Sequence, residues 1–141
     1  MRFSYPIDID EQRDGVTVTC PDVPEMVTSG TTRAEALAHA PDALVSALSF
    51  YVDENRSVPR PSAACGRAVV AVPALEAAKL ALHDAMLAAK ISNVDLARQL
   101  GVDEKSVRRL RDPLHRSRIE AVEAALQALG RRLEVSVPEN S

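Results

Sequence analysis

The residues with the clearest chemical potential lie from 105 to 118. Lys105, Arg108, Arg109, Arg111, Arg116 and Arg118 crowd together there with only Asp112 opposing them, a concentration of positive charge that attracts an anion. Val107 and Leu110, three residues apart, must face a core shared with Leu96 and Ala97. At 100° per residue, the opposite face then carries Lys105, Arg108, Arg109 and Asp112, with Glu104 at the leading end. Such a helix suits the major groove of duplex DNA. Lys105 and Arg109 can donate to guanine O6 and N7, Glu104 can accept from cytosine N4, and Arg108 completes the basic face. Asn93, Arg116 and Arg118 better suit phosphates. With only 3% aromatic residues, the chain has little means of stacking bases from single strands.

Other candidate groupings carry less. Asp8, Asp10, Glu11 and Asp14 could suggest paired metal ions for phosphoryl transfer, but Asp8 and Asp10 share the polar face of a strand and Glu11 and Asp14 fall at its turn. A solvated edge explains them. Ser4, Ser29, His39, His83 and His115 show no nucleophile-base spacing, so no enzyme and no cofactor is expected. Cys20 and Cys65 share no ligand spacing with the histidines and read as free thiols. Gly30 and Gly66 are isolated turn residues rather than a phosphate cradle. No apolar run reaches membrane-spanning length, and Met1-Arg2-Phe3-Ser4 leads into a charged segment without a signal-peptide core, so a cytoplasmic protein is expected.

The elements that must position these residues follow from periodicity. Phe3, Tyr5, Ile7 and Ile9 alternate with polar residues, and Val16, Val18 and Cys20 do so after Asp14-Gly15, which predicts a hairpin with one buried face. Met26 to Ser29 can add a third strand. Thr32 and Glu35 form a capping box opening a helix from Thr32 to Asn55, with Leu37, Ala40, Leu44, Leu48 and Tyr51 on one stripe and Pro41 expected to kink or split it. That helix carries an acidic polar face, unsuited to anionic lipid. Val58-Pro59-Arg60-Pro61-Ser62 is a connector, and Ala68 to Val72 reads as a short strand buried on both faces.

Beyond Pro73 the pattern turns helical. Leu75, Ala78, Leu82, Met86 and Ala89 form a stripe, a helix from Asn93 stops at Gly101, and Asp103 caps another from Glu104 to about Arg111, which Pro113 ends. This spacing is a helix-turn-helix. Ser117 and Glu120 form a second capping box before Ile119, Val122, Leu126 and Leu129, and Gly130 closes that helix. Leu133, Val135 and Val137 then alternate with polar residues in a final strand, Arg132 to Val137, expected to pair between subunits or on the amino-terminal domain. The charge divides likewise: residues 1–73 hold six bases against ten acids, and residues 74–141 eleven against ten.

Pro21-Asp22-Val23-Pro24, Gly30-Thr31-Thr32 leading into Glu35-Ala36-Leu37, and the segment Val58 to Ser62 resemble the HicB antitoxin family. Glu25 stands where that family commonly has Gly. Val94-Asp95-Leu96-Ala97 through Leu100-Gly101-Val102 to Asp112-Pro113 is similar to the Cro and phage-repressor helix-turn-helix that one branch of the family carries. Its DNA-touching positions fall on Asn93, Glu104, Lys105 and Arg109.

The resemblance implies an α+β protein with two domains. Residues 1–73 would be a β-β-β-α-β, partial RNase H-like domain without nuclease activity, neutralising a small HicA-type, mRNA-cleaving ribonuclease. Residues 74–141 would be an all-α domain with a C-terminal strand, binding operator DNA as a homodimer or larger homo-oligomer and repressing its own operon. Asp22 and Glu25 are candidate toxin contacts, and Leu133, Val135 and Val137 candidate dimer contacts. The rival expectation is a stand-alone regulator whose amino-terminal domain oligomerises or senses a ligand.

Overall fold

The computed structural model describes residues 1–139. Over these residues the chain is a mixed α+β structure, with a small amino-terminal sheet region and five helices. Its strands are β1 (Ser4–Pro6), β2 (Asp8–Gln12), β3 (Gly15–Thr19), β4 (Val27–Gly30) and β5 (Val69–Ala71). Its helices are α1 (Arg33–Asp53), α2 (Ala74–Ala89), α3 (Asn93–Leu100), α4 (Glu104–Arg111) and α5 (Ile119–Ala128).

The first expected strand is broken at Ile7. Its two parts serve different partners: β1 pairs antiparallel with β5, and β2 joins the antiparallel array β2-β3-β4. Ile7 itself donates to the Ala68 carbonyl at 2.9 Å, which carries the β1-β5 ladder through the break. β5 is shorter than expected and one-sided, because only Val70 turns inward while Val69 and Ala71 face solvent. A two-stranded ladder has one face to bury, so an apolar sequence alone does not bury both.

Pro41 does not split α1, which runs unbroken from Arg33 to Asp53. One lost backbone bond is offset by the stripe of Ala36, Ala40, Leu44, Leu48 and Tyr51, buried against the strands. The expected capping box is half formed. The Glu35 N–H donates to Thr32 Oγ1 at 3.1 Å, but the Glu35 carboxylate accepts from Thr31 Oγ1 instead of reaching back to the Thr32 amide. At the second expected box, α5 begins one residue later than Ser117 allows and has no side-chain cap, because the Ser117 hydroxyl is taken by Lys79.

Residues 131–139 hold no strand, contrary to the expected pairing with the amino-terminal region. A strand needs a partner edge. Leu133 packs against the helical core, whereas Val135 and Val137, on the same alternating face, are 76% and 90% exposed.

Two apolar cores result. The first gathers the strands, α1, Val58 and Leu80. The second gathers Ala78, Leu82, Ala85 and Met86 of α2 with residues of α3, α4 and α5. Because α2 contributes Leu80 to one core and Leu82 to the other, it is the shared wall between the two halves.

Candidate nucleic-acid face and the network between the two cores

Gly101, Val102 and Asp103 link α3 to α4. Gly101 stops α3 in the left-handed conformation, φ 69°, where a side chain would be strained. Asp103 caps α4, its Oδ1 accepting from the Ser106 amide at 2.8 Å, and this hydrogen bonding holds its carboxyl below the usual range. Val107 is fully buried and Leu110 packs beside it, so Lys105, Arg108 and Arg109 face solvent together. Arg116 and Arg118 are exposed on the segment leading to α5. Asp112, expected on the same face, instead ends α4 as its C-cap and turns its carboxylate to the Leu114 amide.

Three of the expected contact residues, Asn93, Glu104 and Arg108, have internal partners. Glu104 accepts from Arg108 at 2.7 Å and from Asn93 Nδ2 at 3.3 Å. Asn93 is half-buried, and its Oδ1 accepts from Arg111 at 2.7 Å. Arg111 is not part of the basic surface at all. It lies four residues after Val107, on the apolar side of α4, and is buried. That spacing was visible in the sequence.

Sequence reasoning also missed two residues of α2. Lys79, fully buried, donates from Nζ to the carbonyls of Arg109 (2.8 Å) and Asp112 (3.1 Å) and to Ser117 Oγ (2.7 Å). It thus supplies a cation and three hydrogen bonds at the C-terminal end of α4, where carbonyls lack helical partners. Burial lowers its pKa, and Asp112 and Glu76 oppose that shift. His83, one turn further on, is also fully buried. It lies 2.7 Å from the Arg56 carbonyl through Nε2 and 2.7 Å from an Arg111 nitrogen through Nδ1. A guanidinium only donates, so Nδ1 is the acceptor and Nε2 carries the proton. Both residues share a helical stripe with Leu82 and Met86.

In the amino-terminal half, the two acids expected at a partner surface also hold the fold. Asp22 Oδ2 accepts from the Ser62 amide and hydroxyl, each at 2.9 Å. Glu25 accepts from the Tyr51 hydroxyl at 2.8 Å, tying the turn to α1, and Arg56 lies 4.5 Å over the Tyr51 ring. The supposed connector is accordingly pinned along its length. Arg56 binds His83, the Val58 amide donates to Asp84, and the Pro59 carbonyl accepts from the Tyr5 hydroxyl at 2.6 Å. Burial pushes the Asp84 carboxyl up and the Tyr5 phenol well above its usual range.

Three of the four amino-terminal acids that suggested metal chemistry have neighbours. Asp8 faces Arg67, Gln12 donates to Asp10, and Arg33 reaches Glu11. Cys20 is buried and Cys65 exposed, both as free thiols. Among the described residues, no helix is long and apolar enough to cross a membrane.

A family model described as the HicB-like antitoxin of bacterial toxin-antitoxin systems matches residues 3–81, through the sheet region, α1 and the first half of α2. The chain belongs to the HicB-like antitoxin family. Antitoxin HicB of Pseudomonas fluorescens is 45% identical over 137 residues, covering 96% of this chain and 94% of that protein. Antitoxin HicB 2 of Photorhabdus laumondii is 44% identical, covering 93% and 94%. Antitoxin HicB of Escherichia coli K12 is 35% identical, covering 93% and 96%. The similarity to these HicB proteins therefore extends past the family model into α3, α4 and α5.

Proposed function

We propose that this HicB-like chain is a non-catalytic antitoxin that neutralises a small HicA-type ribonuclease through residues 1–73 and represses its own operon through residues 74–141. Membership of the family supports the antitoxin role. The DNA-binding role rests on one observation: Lys105, Arg108 and Arg109 stand exposed together on α4, with the opposite side of that helix anchored in the second core. In this proposal the amino-terminal half is a partial RNase H-like fold, and α3 and α4 form a helix-turn-helix of Cro and repressor type. Lys105 and Arg109 read bases, Arg108 and Glu104 support them, and Asn93, Arg116 and Arg118 lie near phosphates.

A basic, RNA-binding toxin complements the acidic amino-terminal half. Asp42 and Asp53 of α1 are exposed and carry no ion pair among the described residues, so they join Asp22 and Glu25 as contacts that steer capture. Val135 and Val137 are covered in a homodimer, where the tail pairs with its copy and sets two α4 helices about 34 Å apart on a palindromic operator.

The test is operator binding at fixed salt. Lys105→Ala and Arg109→Ala should each cost about 1–3 kcal/mol and relax base preference with the circular dichroism spectrum unchanged. A chain ending at Gly130 should lose the advantage of two half-sites over one. Unchanged affinity in the two α4 variants would overturn the assignment of that face.

A further inference from the structure

A cleft of about 720 Å³ separates the end of α1 from the start of α3, with Val52 and Asp53 on one side and Lys90 and Asn93 on the other. Among the described residues, the only hydrogen bond from α3, α4 or α5 to residues 1–73 is made by Arg111, at 2.8 Å to Asn55 Oδ1. The same guanidinium binds Asn93 Oδ1 on α3 and His83 Nδ1 on α2, while His83 Nε2 holds the Arg56 carbonyl next to Asn55. Asn55 is itself in the left-handed conformation, φ 54°, just past α1, and lines the cleft. We propose that Arg111, His83, Asn55 and Asn93 form an acid-sensitive latch that holds α4 and the amino-terminal half in one fixed orientation.

The chemistry makes the latch conditional. Arg111 is buried with no carboxylate against it, and its Nε has no partner, so the guanidinium is held by neutral acceptors alone. The imidazole can accept from Arg111 only through an unprotonated Nδ1. A proton there replaces an acceptor with a donor and sets two cations 2.7 Å apart in a desolvated site.

The charged groups around His83 are few. Arg111 faces it from α4. Asp84 adjoins it on α2 and is occupied by the Val58 amide, with Arg60 nearby. Arg56 offers only its carbonyl, since its side chain lies over Tyr51 and against Glu54. Lys79, one turn earlier, is committed to the end of α4. Asp84 is the one anion acting on His83, and it is engaged by the Val58 amide, while the partner at Nδ1 is the Arg111 cation.

The importance of this orientation for repression rests on α4 facing DNA, but the latch does not. It is therefore tested without DNA, by 15N relaxation on the full chain, with imidazole 15N shifts reporting the His83 tautomer. Near neutral pH, residues 1–57 and 93–129 should share one rotational correlation time, and His83 should be the Nε2-protonated tautomer. As the pH falls through the His83 titration, the two regions should acquire different correlation times. Arg111→Met should produce that separation at neutral pH. His83→Gln should abolish the acid response, because its amide can accept from Arg111 and donate to Arg56 without titrating. Common tumbling that persists after His83 is protonated overturns the latch, as does an acid response that survives in His83→Gln. The wild-type titration stands even if Arg111→Met does not fold.

Discussion

The ammonium of Lys79 lies 2.8 Å from the backbone carbonyl of Arg109, so a fully buried lysine on α2 holds the main chain of a residue proposed to read DNA. The side chain of Arg109 is exposed while its carbonyl is anchored. The same ammonium also holds Asp112 and Ser117, fixing the turn after α4. Replacing Lys79 with Met keeps the aliphatic stem and leaves those acceptors without their donor. The variant should lose about 1–3 kcal/mol of stability, seen as a lower urea midpoint at unchanged slope. A midpoint equal to wild type would show that water replaces the ammonium at no cost.

Gly30 ends β4 where it meets the start of α1. A Cβ built there would lie 2.6 Å from the Ala36 backbone nitrogen, a contact that forces main chain rather than a flexible side chain to move. Gly30→Ala should therefore destabilise the chain by about 1–3 kcal/mol, as overpacking does. At Gly66 a Cβ meets open space, so Gly66→Ala should cost only the strain of its positive φ, about 1 kcal/mol. Thermal unfolding of the two variants gives the comparison, and equal losses would remove the steric explanation.

Burial lowers the His83 pKa, the Arg56 carbonyl opposes that shift, and the neighbouring Arg111 charge adds to it. With the folded value depressed, the neutral imidazole contributes stability that is fully present above the unfolded value of about 6.5 and is lost as pH falls through the folded value. Wild type minus His83→Gln should show this loss in urea titrations over pH, and taking the difference cancels the opposite contribution of Asp84. A flat difference across that range would mean that His83 titrates alike in both states.

Much of this arrangement was legible in the sequence because it depends on local rules. The apolar spacing of Val107 and Leu110, the Asp103 cap and the Gly101 stop define α4 and its basic face without knowledge of the rest of the chain. The break at Ile7 was not legible, since alternation continues smoothly through it and only the choice of partner strand divides it. Ser117 misled because a hydroxyl suited to a cap was claimed by a lysine 38 residues earlier in the chain. Lys79, His83 and Arg111 sit at apolar positions of their helices, yet sequence reasoning counts Arg111 with the basic cluster and gives the two residues of α2 no structural place. Their spacing from Leu82, Met86 and Val107 was the available signal. Asp22 and Glu25, candidate toxin contacts in the sequence, also accept hydrogen bonds from Ser62 and Tyr51, pairings that residues 40 and 26 positions apart do not announce.

Neutralisation of a ribonuclease is the central claim, and it is tested most directly by titration. The tagged full-length chain is purified from its native cells at moderate salt, any small basic protein bound to it is separated under denaturing conditions and refolded, and its cleavage of messenger RNA is followed as the chain is returned. Cleavage should fall linearly and stop at an equimolar ratio, with Asp42→Lys and Asp53→Lys together slowing capture at low salt. A chain that comes out of its cells without such a partner, or a partner whose cleavage continues at equimolar chain, would contradict the antitoxin function proposed for it.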